Sequence, residues 1–283
     1  MKKLYLITLL LCSFAAYAGE WISDSTTQCK VWNTYPTPDE TVKWTGDCKD
    51  GKTTGYGTLE LFKVGKANGI SKGTYVDGLL QGKGTFIWAN GDRYEGDFLD
   101  GKRTGKGIST WIDGTRYEGD FIEGKLTGKG NYTWASGNRY VGDVVDGTRT
   151  GKGIFKWLNG DIYEGDFVNG ERHGKGVINC SNGDNFSGDF FHGKMRGKGI
   201  AIFQNGMRFE GTYLDDQFHG KGVLVWADGS RYEGGFSGGK LNGNGVMTYV
   251  GGNRYEGEFK DDKAIRMYRL PTKITEYSPS TIN

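Results

Sequence analysis

Apolar and polar positions alternate along most of this chain. Tyr94, Gly96 and Phe98 are interleaved with Glu95 and Asp97. Gly105, Gly107, Ser109 and Trp111 are interleaved with Lys106, Ile108 and Thr110. A period of two predicts half-buried strands with one apolar and one polar face. Asp100-Gly101 lies between these two strands, and Asp113-Gly114 follows the second. Related pairs recur at Asn90-Gly91, Asp146-Gly147, Asn159-Gly160, Asn182-Gly183, Asn205-Gly206 and Asp228-Gly229. Such dipeptides predict turns that need positive φ. The elementary object is therefore a β-hairpin.

The hairpin repeats. The aromatic that opens it falls at Tyr94, Tyr117, Tyr140, Tyr163, Phe186, Phe209, Tyr232 and Tyr255, always 23 residues apart. An earlier unit starts at Ser71 and a degenerate one at Trp44, so nine full units run from Trp44 and the half unit YEGEF closes the series. A second aromatic column holds Phe98, Phe121 and Phe167, and a tryptophan column holds Trp111, Trp134, Trp157 and Trp226. Some units depart: Val144 replaces the second aromatic, Cys180 the tryptophan, Asn244 the lysine between two glycines, and Cys48 sits where Phe98 does.

The pattern Y-E-G-x-F-x-x-G-x-x-x-G-x-G resembles the MORN (membrane occupation and recognition nexus) repeat over roughly residues 44 to 259. The resemblance implies repeats that mediate protein association or lie at membrane surfaces, often attached to a catalytic domain. Outside the array this sequence leaves no room for such a domain.

One hairpin has too little core to fold alone, so its neighbours must supply the rest. The expected fold is all-β: an elongated single antiparallel sheet of consecutive hairpins, solenoid-like. All four prolines lie outside the array, as expected if array strands are paired on both sides. In the simplest register Gly96 faces Gly107, Asp97 faces Lys106 and Phe98 faces Gly105, so that rings rest on glycines. The acid-to-lysine pairing would repeat as Asp120 with Lys129, Asp143 with Lys152, Asp166 with Lys175 and Asp189 with Lys198. For each tryptophan to share a face with the next tyrosine, the second turn needs an odd length, and a three-residue loop with a bulge fits.

The expected organisation is a leader at 1–18, an N-terminal cap at 19–43, the array at 44–263, and a C-terminal cap or tail at 264–283. The run Asp261 to Arg269 is expected to form a short amphipathic helix over the far edge, because sheet edges need covering. Met1 to Lys3 open with positive charge, Leu4 to Ala16 is a short apolar run, and Ala16-Tyr17-Ala18 is a small-x-small signal. Together they predict a secretory leader cleaved after Ala18, hence a secreted or periplasmic protein.

Charge narrows the partners. The chain has 36 basic and 34 acidic residues, and loss of Lys2 and Lys3 with the leader leaves 34 of each. A neutral chain has no field for nucleic acid. The expected partner is protein, with phospholipid or glycan as alternatives. The expected function is a non-enzymatic interaction scaffold; the alternative is a peripheral phospholipid-binding module at an envelope membrane.

Candidate chemistry is sparse. Outside the leader, cysteines fall at 29, 48 and 180. In an oxidising compartment Cys29 and Cys48 are expected to bridge cap to array, leaving Cys180 as a small buried hydrophobe in the tryptophan column. His173 and His219 share a column two units apart, about 19 Å, too far for one metal, and read as turn residues. There is no HExxH, GxSxG, cysteine cluster or phosphate loop, so no catalytic residue, metal ligand or cofactor is expected. Glu95, Glu118, Glu164, Glu210, Glu233 and Glu256 form a solvated stripe. The lysine column from Lys83 to Lys221 either pairs with acids or forms a phosphate-tracking row. The aromatic columns are either internal or line a groove for an extended peptide, glycan or lipid chain.

Overall fold

A computed structural model describes residues 19–34 and 36–271, all of them strand, turn or irregular, with no helix among the described residues. The leader expected at 1–18 lies outside the described residues. The chain divides into two compact units, the first ending at Ile112 and the second beginning at Asp113.

The first unit contains β1 (Glu20–Ser23), β2 (Lys30–Asn33), β3 (Glu40–Trp44), β4 (Asp47–Lys49), β5 (Lys52–Lys63), β6 (Lys66–Val76), β7 (Leu79–Trp88), β8 (Arg93–Leu99) and β9 (Lys102–Thr110). From β5 onward each strand pairs antiparallel with the next. The other edge of β5 is taken by β3 and β4. The β1–β2 hairpin is tied down by a disulfide between Cys29 and Cys48. Its backbone also donates to turns of the array, from Lys30 N to Gly51 O at 2.9 Å and from Trp32 N to Gly78 O at 3.0 Å. Asp24 is buried and accepts from Thr26 N and Trp44 N, each at 2.7 Å. Burial raises its pKa, but the amide bonds of Trp44, Thr26 and Thr27 outweigh that and hold the carboxyl below its ordinary range.

The second unit runs β10 (Arg116–Ile122), β11 (Lys125–Thr133), β12 (Arg139–Val145), β13 (Thr148–Lys156), β14 (Ile162–Val168), β15 (Glu171–Asn179) and β16 (Asn185–Phe191). It continues as β17 (Lys194–Ile202), β18 (Arg208–Leu214), β19 (Gln217–Val225), β20 (Arg231–Ser237), β21 (Lys240–Thr248), β22 (Arg254–Lys260) and β23 (Lys263–Leu270). Each pairs antiparallel with the next, so this unit is an open sheet of consecutive hairpins.

Two turns alternate. Between β8 and β9, Asp100 and Gly101 have φ of 51° and 74° while Leu99 and Lys102 pair: the two-residue turn whose twist matches the strands. Between β11 and β12, Trp134 N donates to Asn138 O at 3.0 Å and Gly137 N to Trp134 O at 2.8 Å. The loop is thus three residues with Gly137 at φ 86°, the odd length expected.

The register differs from expectation beyond one point. Gly96 faces Gly107 as expected, but Asp97 faces Thr104 and Phe98 faces Arg103. Neither Asp97–Lys106 nor Phe98–Gly105 is a strand pair, because the register shifts after Gly96. Gly105, at φ 55°, turns the chain out as a bulge that only glycine enters easily. Asp97 binds the backbone of Lys106 instead, accepting its N–H at 3.1 Å. The same bond joins Asp120 to Lys129, Asp143 to Lys152, Asp166 to Lys175 and Asp189 to Lys198. The side-chain ion pairs lie one unit earlier: Lys83–Asp97 at 2.7 Å, Lys129–Asp143 at 2.5 Å, Lys152–Asp166 at 2.6 Å and Lys175–Asp189 at 2.5 Å.

The helix expected over Asp261 to Arg269 does not form. Asp261 and Asp262 make a turn at φ 48° and 69°, and Lys263–Leu270 pairs with β22. The free edge of β22 offers a row of unsatisfied N–H and C=O groups. A strand satisfies them; a helix would not.

Candidate functional site

One face of each sheet is aromatic, and its deepest layer is structural. Tyr94, Tyr117, Tyr140, Tyr163 and Tyr232 are wholly buried. Each ring lies over a cross-strand glycine pair: a methyl on Gly107 would meet Tyr94 Cε2 at 2.5 Å. Their hydroxyls donate to the carbonyl of the residue that follows Gly96 or its counterpart, an aspartate at 3.0 Å for Tyr94, 2.8 Å for Tyr140 and 2.9 Å for Tyr163, and Gly235 at 3.1 Å for Tyr232. Burial pushes the phenols of Tyr94, Tyr140 and Tyr163 up to about 12. Phe98, Phe121 and Phe167 are buried edge-on against the tyrosines of their own units, at 5.1, 5.4 and 5.2 Å between centroids. Val144 fills the same slot and is also buried.

The tryptophan layer is different. Trp88, Trp111, Trp134, Trp157 and Trp226 are only half-buried. The two columns therefore divide: tyrosine is internal and tryptophan is partly open. In the second unit the rings form a ladder. Tyr132 to Trp134 is 5.1 Å, Trp134 to Phe155 is 5.5 Å, and Phe155 to Trp157 is 4.7 Å. An arginine column backs the rings, a feature the sequence reading missed. Arg149 lies 5.6 Å from Trp134 and 4.8 Å from Phe155, and donates to Gly170 O at 2.5 Å. Arg172 lies 5.6 Å from Trp157 and donates to Gly193 O. In the first unit Arg103 lies 5.4 Å from Trp88. The signal was present, since all three occupy the position opposite the second aromatic column.

The ladder stops after Trp157. Its next positions hold Ile178, Cys180 and Ala201, and the next ring in the tryptophan column is Phe203. A cavity of about 720 Å³ opens here, lined by Trp157, Cys180, Phe186, Met195, Phe203 and Phe218 among others. Phe186 is half-exposed where the preceding tyrosines are buried, and it leans toward Phe203 at 5.7 Å. Met195 replaces the arginine and lies over Gly199, where a methyl would meet its Cε at 2.6 Å. Tyr213 also lines the cavity; its hydroxyl is buried with no hydrogen-bond partner. Cys180 is half-buried, not the buried hydrophobe expected. Burial first, then Asp161 and Asp184, push its thiol pKa up.

A profile of the MORN repeat matches nine consecutive segments: 72–93, 94–116, 117–139, 140–162, 163–185, 186–208, 209–231, 232–254 and 255–264. The chain belongs to the MORN repeat family. No curated protein sequence matches it. Among solved structures, it is similar to the TCP10 domain of Danio rerio CPAP in complex with a STIL peptide, at 10% identity and TM-score 0.45, covering 81% of this chain and 100% of that one. It is also similar to the TCP domain of Drosophila melanogaster SAS-4 in complex with a proline-rich motif of Ana2, at 13% identity and TM-score 0.34, covering 53% and 81%.

The opposite face of the MORN sheet mixes charged residues with aliphatic ones such as Ile154, Val177, Ile200 and Val223. Lys83, Lys129, Lys152 and Lys175 are ion-paired as described above, whereas Lys198 faces Thr212 and Lys221 faces Gly235. Glu95, Glu118, Glu210 and Glu233 are exposed, each paired with the arginine two residues earlier. His173 and His219 are strand residues facing Asp166 and Thr212, not turn residues. His192 is the turn residue, at φ 48°, with Nδ1 at 2.8 Å from Glu171 Oε2. Among the described residues no group of three or more His, Cys, Asp or Glu is placed to hold a metal ion.

Proposed function

We propose that this MORN array is a non-enzymatic protein-interaction scaffold working outside the cytoplasm, in a secreted or periplasmic setting. The observation that carries the reading is the tryptophan layer. Half-open indoles stacked with arginine stand on an immobile floor of buried tyrosine and phenylalanine. Tryptophan and arginine dominate the energetics of protein interfaces, and a rigid base spares the entropy of ordering them. The polar groups of this face are spent on the fold: phenols on bulge carbonyls, guanidinium groups on turn carbonyls. Four lysines of the opposite face are neutralised by aspartate, which weighs against an anionic lipid surface and in favour of protein. The leader pattern at 1–18 and the Cys29–Cys48 bridge support an oxidising compartment.

A photoreactive benzoyl-phenylalanine at Trp111 or Trp134 is expected to cross-link a partner protein in the native host. The same group at Glu118 or Glu164 is expected to cross-link far less. Equal adducts from both faces, or none from the aromatic face, would overturn the reading. N-terminal sequencing of the exported protein should begin at Gly19; a cytoplasmic protein that retains residues 1–18 would refute the compartment.

A further inference from the structure

The broken ladder is a socket. From Tyr132 to Trp157 the rungs are continuous at about 5 Å. At the next three rung positions Ile178, Cys180 and Ala201 supply no ring, and the cavity of about 720 Å³ lies there. That volume falls in the range of pockets that take a small ligand or a side chain with its adjoining backbone. Three further substitutions keep it open. Met195 stands where an arginine would reach across. Phe186 does not sit on the glycine pair as the tyrosines do: a methyl on Gly199 would meet Met195 Cε and Tyr213 Cε2 first. Phe203, a phenylalanine in the tryptophan column, also lines the cavity.

The charge around the socket is mainly negative. Asp161 accepts Ser181 N at 2.8 Å and Asn159 Nδ2 at 2.8 Å, and Asp184 accepts Gln204 N at 2.9 Å; neither faces a cation. Asp216 lies at the rim and accepts Met195 N at 2.8 Å. Arg172 is the cation lining the cavity; it is engaged on Gly193 and Trp157 and interacts with Asp216, which leaves Asp161 and Asp184 for a guest cation.

We propose that this socket takes an aromatic side chain of a partner polypeptide, with a lysine or arginine beside it in the partner's sequence, so that the guest ring completes the ladder between Trp157 and Phe203. The inference rests on the protein-scaffold reading and names the partner chemistry of that face. The guest ring stacks against rings already fixed, and its flanking cation meets Asp161 and Asp184.

The test uses the full chain labelled with 13C at methionine methyls, because Met195 lines the socket while Met207, Met247 and Met267 do not. The probes are the blocked tripeptides Lys-Trp-Lys, Glu-Trp-Glu and Lys-Ala-Lys. Lys-Trp-Lys is expected to shift the Met195 signal selectively, and the other two to bind at least tenfold more weakly. Cys180→Trp, which restores the residue type of neighbouring units, is expected to lower affinity at least tenfold. Ala201→Phe fills the socket from the next strand and gives the same result if the first variant fails to fold. Cys180→Ser is expected to bind as the native chain does. A silent Met195 at saturating peptide, equal response to all three peptides, or unchanged binding to folded Cys180→Trp or Ala201→Phe would overturn the proposal. If Met195 stays silent while Trp111 and Trp134 still cross-link a partner, this inference fails alone; loss of both results removes the scaffold reading as well.

Discussion

The stretches Tyr132–Trp157 and Ile178–Phe203 are built from one hairpin plan yet differ in their side-chain layer. In the first, four rings and Arg149 fill the aromatic face. In the second, Cys180, Met195 and Ala201 stand in for tryptophan, arginine and an aromatic, and a cavity opens. The glycine register is kept, with local departures at Gly188 and Gly197, whose φ values are 156° and 115°. Gly142 faces Gly153 in the first stretch and Gly188 faces Gly199 in the second, with a register shift following each. Register in this fold is therefore held by glycine pairs, bulges and turns, and the ring layer above is free to vary. Such freedom lets one unit acquire a site without disturbing its neighbours.

The glycine floor is where the two stretches should separate most. A methyl on Gly153 would meet Tyr140 Oη at 2.6 Å and Cζ at 2.7 Å, and that tyrosine is wholly buried with its hydroxyl bonded to Asp143 O. A methyl on Gly199 meets first the Cε of Met195, the end of a flexible chain beside a cavity, and then Tyr213 Cε2 at 2.9 Å and Ser187 O at 3.0 Å. Gly153→Ala is expected to cost about 3 kcal/mol and Gly199→Ala about 1 kcal/mol, read from urea midpoints. Equal losses would show that the floor is as tight under the socket as under the ladder.

Next come the tyrosine hydroxyls, where the same substitution should change sign. Tyr140→Phe removes a buried bond of 2.8 Å and is expected to cost about 1 kcal/mol. Tyr213→Phe removes a buried hydroxyl that has no partner, and is expected to leave stability unchanged or raise it by about 1 kcal/mol. Destabilisation by Tyr213→Phe would mean that this hydroxyl has found a partner, and would redraw the socket.

Much of this was legible from the chain. Period-two alternation located the strands, the glycine-containing pairs located the turns, and the 23-residue phase located the tyrosine, phenylalanine and tryptophan columns, though not the column that holds Tyr132 and Phe155. What escaped was a single inserted step. Gly105 and Gly107 look alike in the sequence, but one is a bulge at positive φ and the other is the seat of a ring. A straight register cannot tell them apart, so the lysine side chains were assigned one unit too late. The mistaken helix at 261–269 has a related cause. Local amphipathicity was weighed without the open edge of β22 beside it. The socket was hidden for another reason: Cys180 was visible as a departure, but whether neighbours would collapse onto the missing indole depends on Phe186 and Met195, which only the packing reveals.

The smallest effect concerns acid. Lys129 chiefly, then the Lys152 amide, holds the Asp143 carboxyl below its ordinary range; Lys152 chiefly, with the Lys175 amide, does the same for Asp166 against an opposing effect of burial. A carboxyl depressed on folding stabilises fully above its unfolded pKa, about 4, and the stabilisation is lost as pH falls through the folded value. These carboxylates are about a third exposed, so each pair is worth only about 0.2–1 kcal/mol. Further along, Lys198 faces Thr212 and Lys221 faces Gly235, and no such stabilisation exists to be lost. Hydrogen exchange, corrected for intrinsic rates and compared between pH 5 and pH 3, should therefore lose protection in β11 to β14 before β17 to β20. Uniform loss would break the comparison, because it would mean that the ion pairs of the first stretch contribute nothing the second lacks.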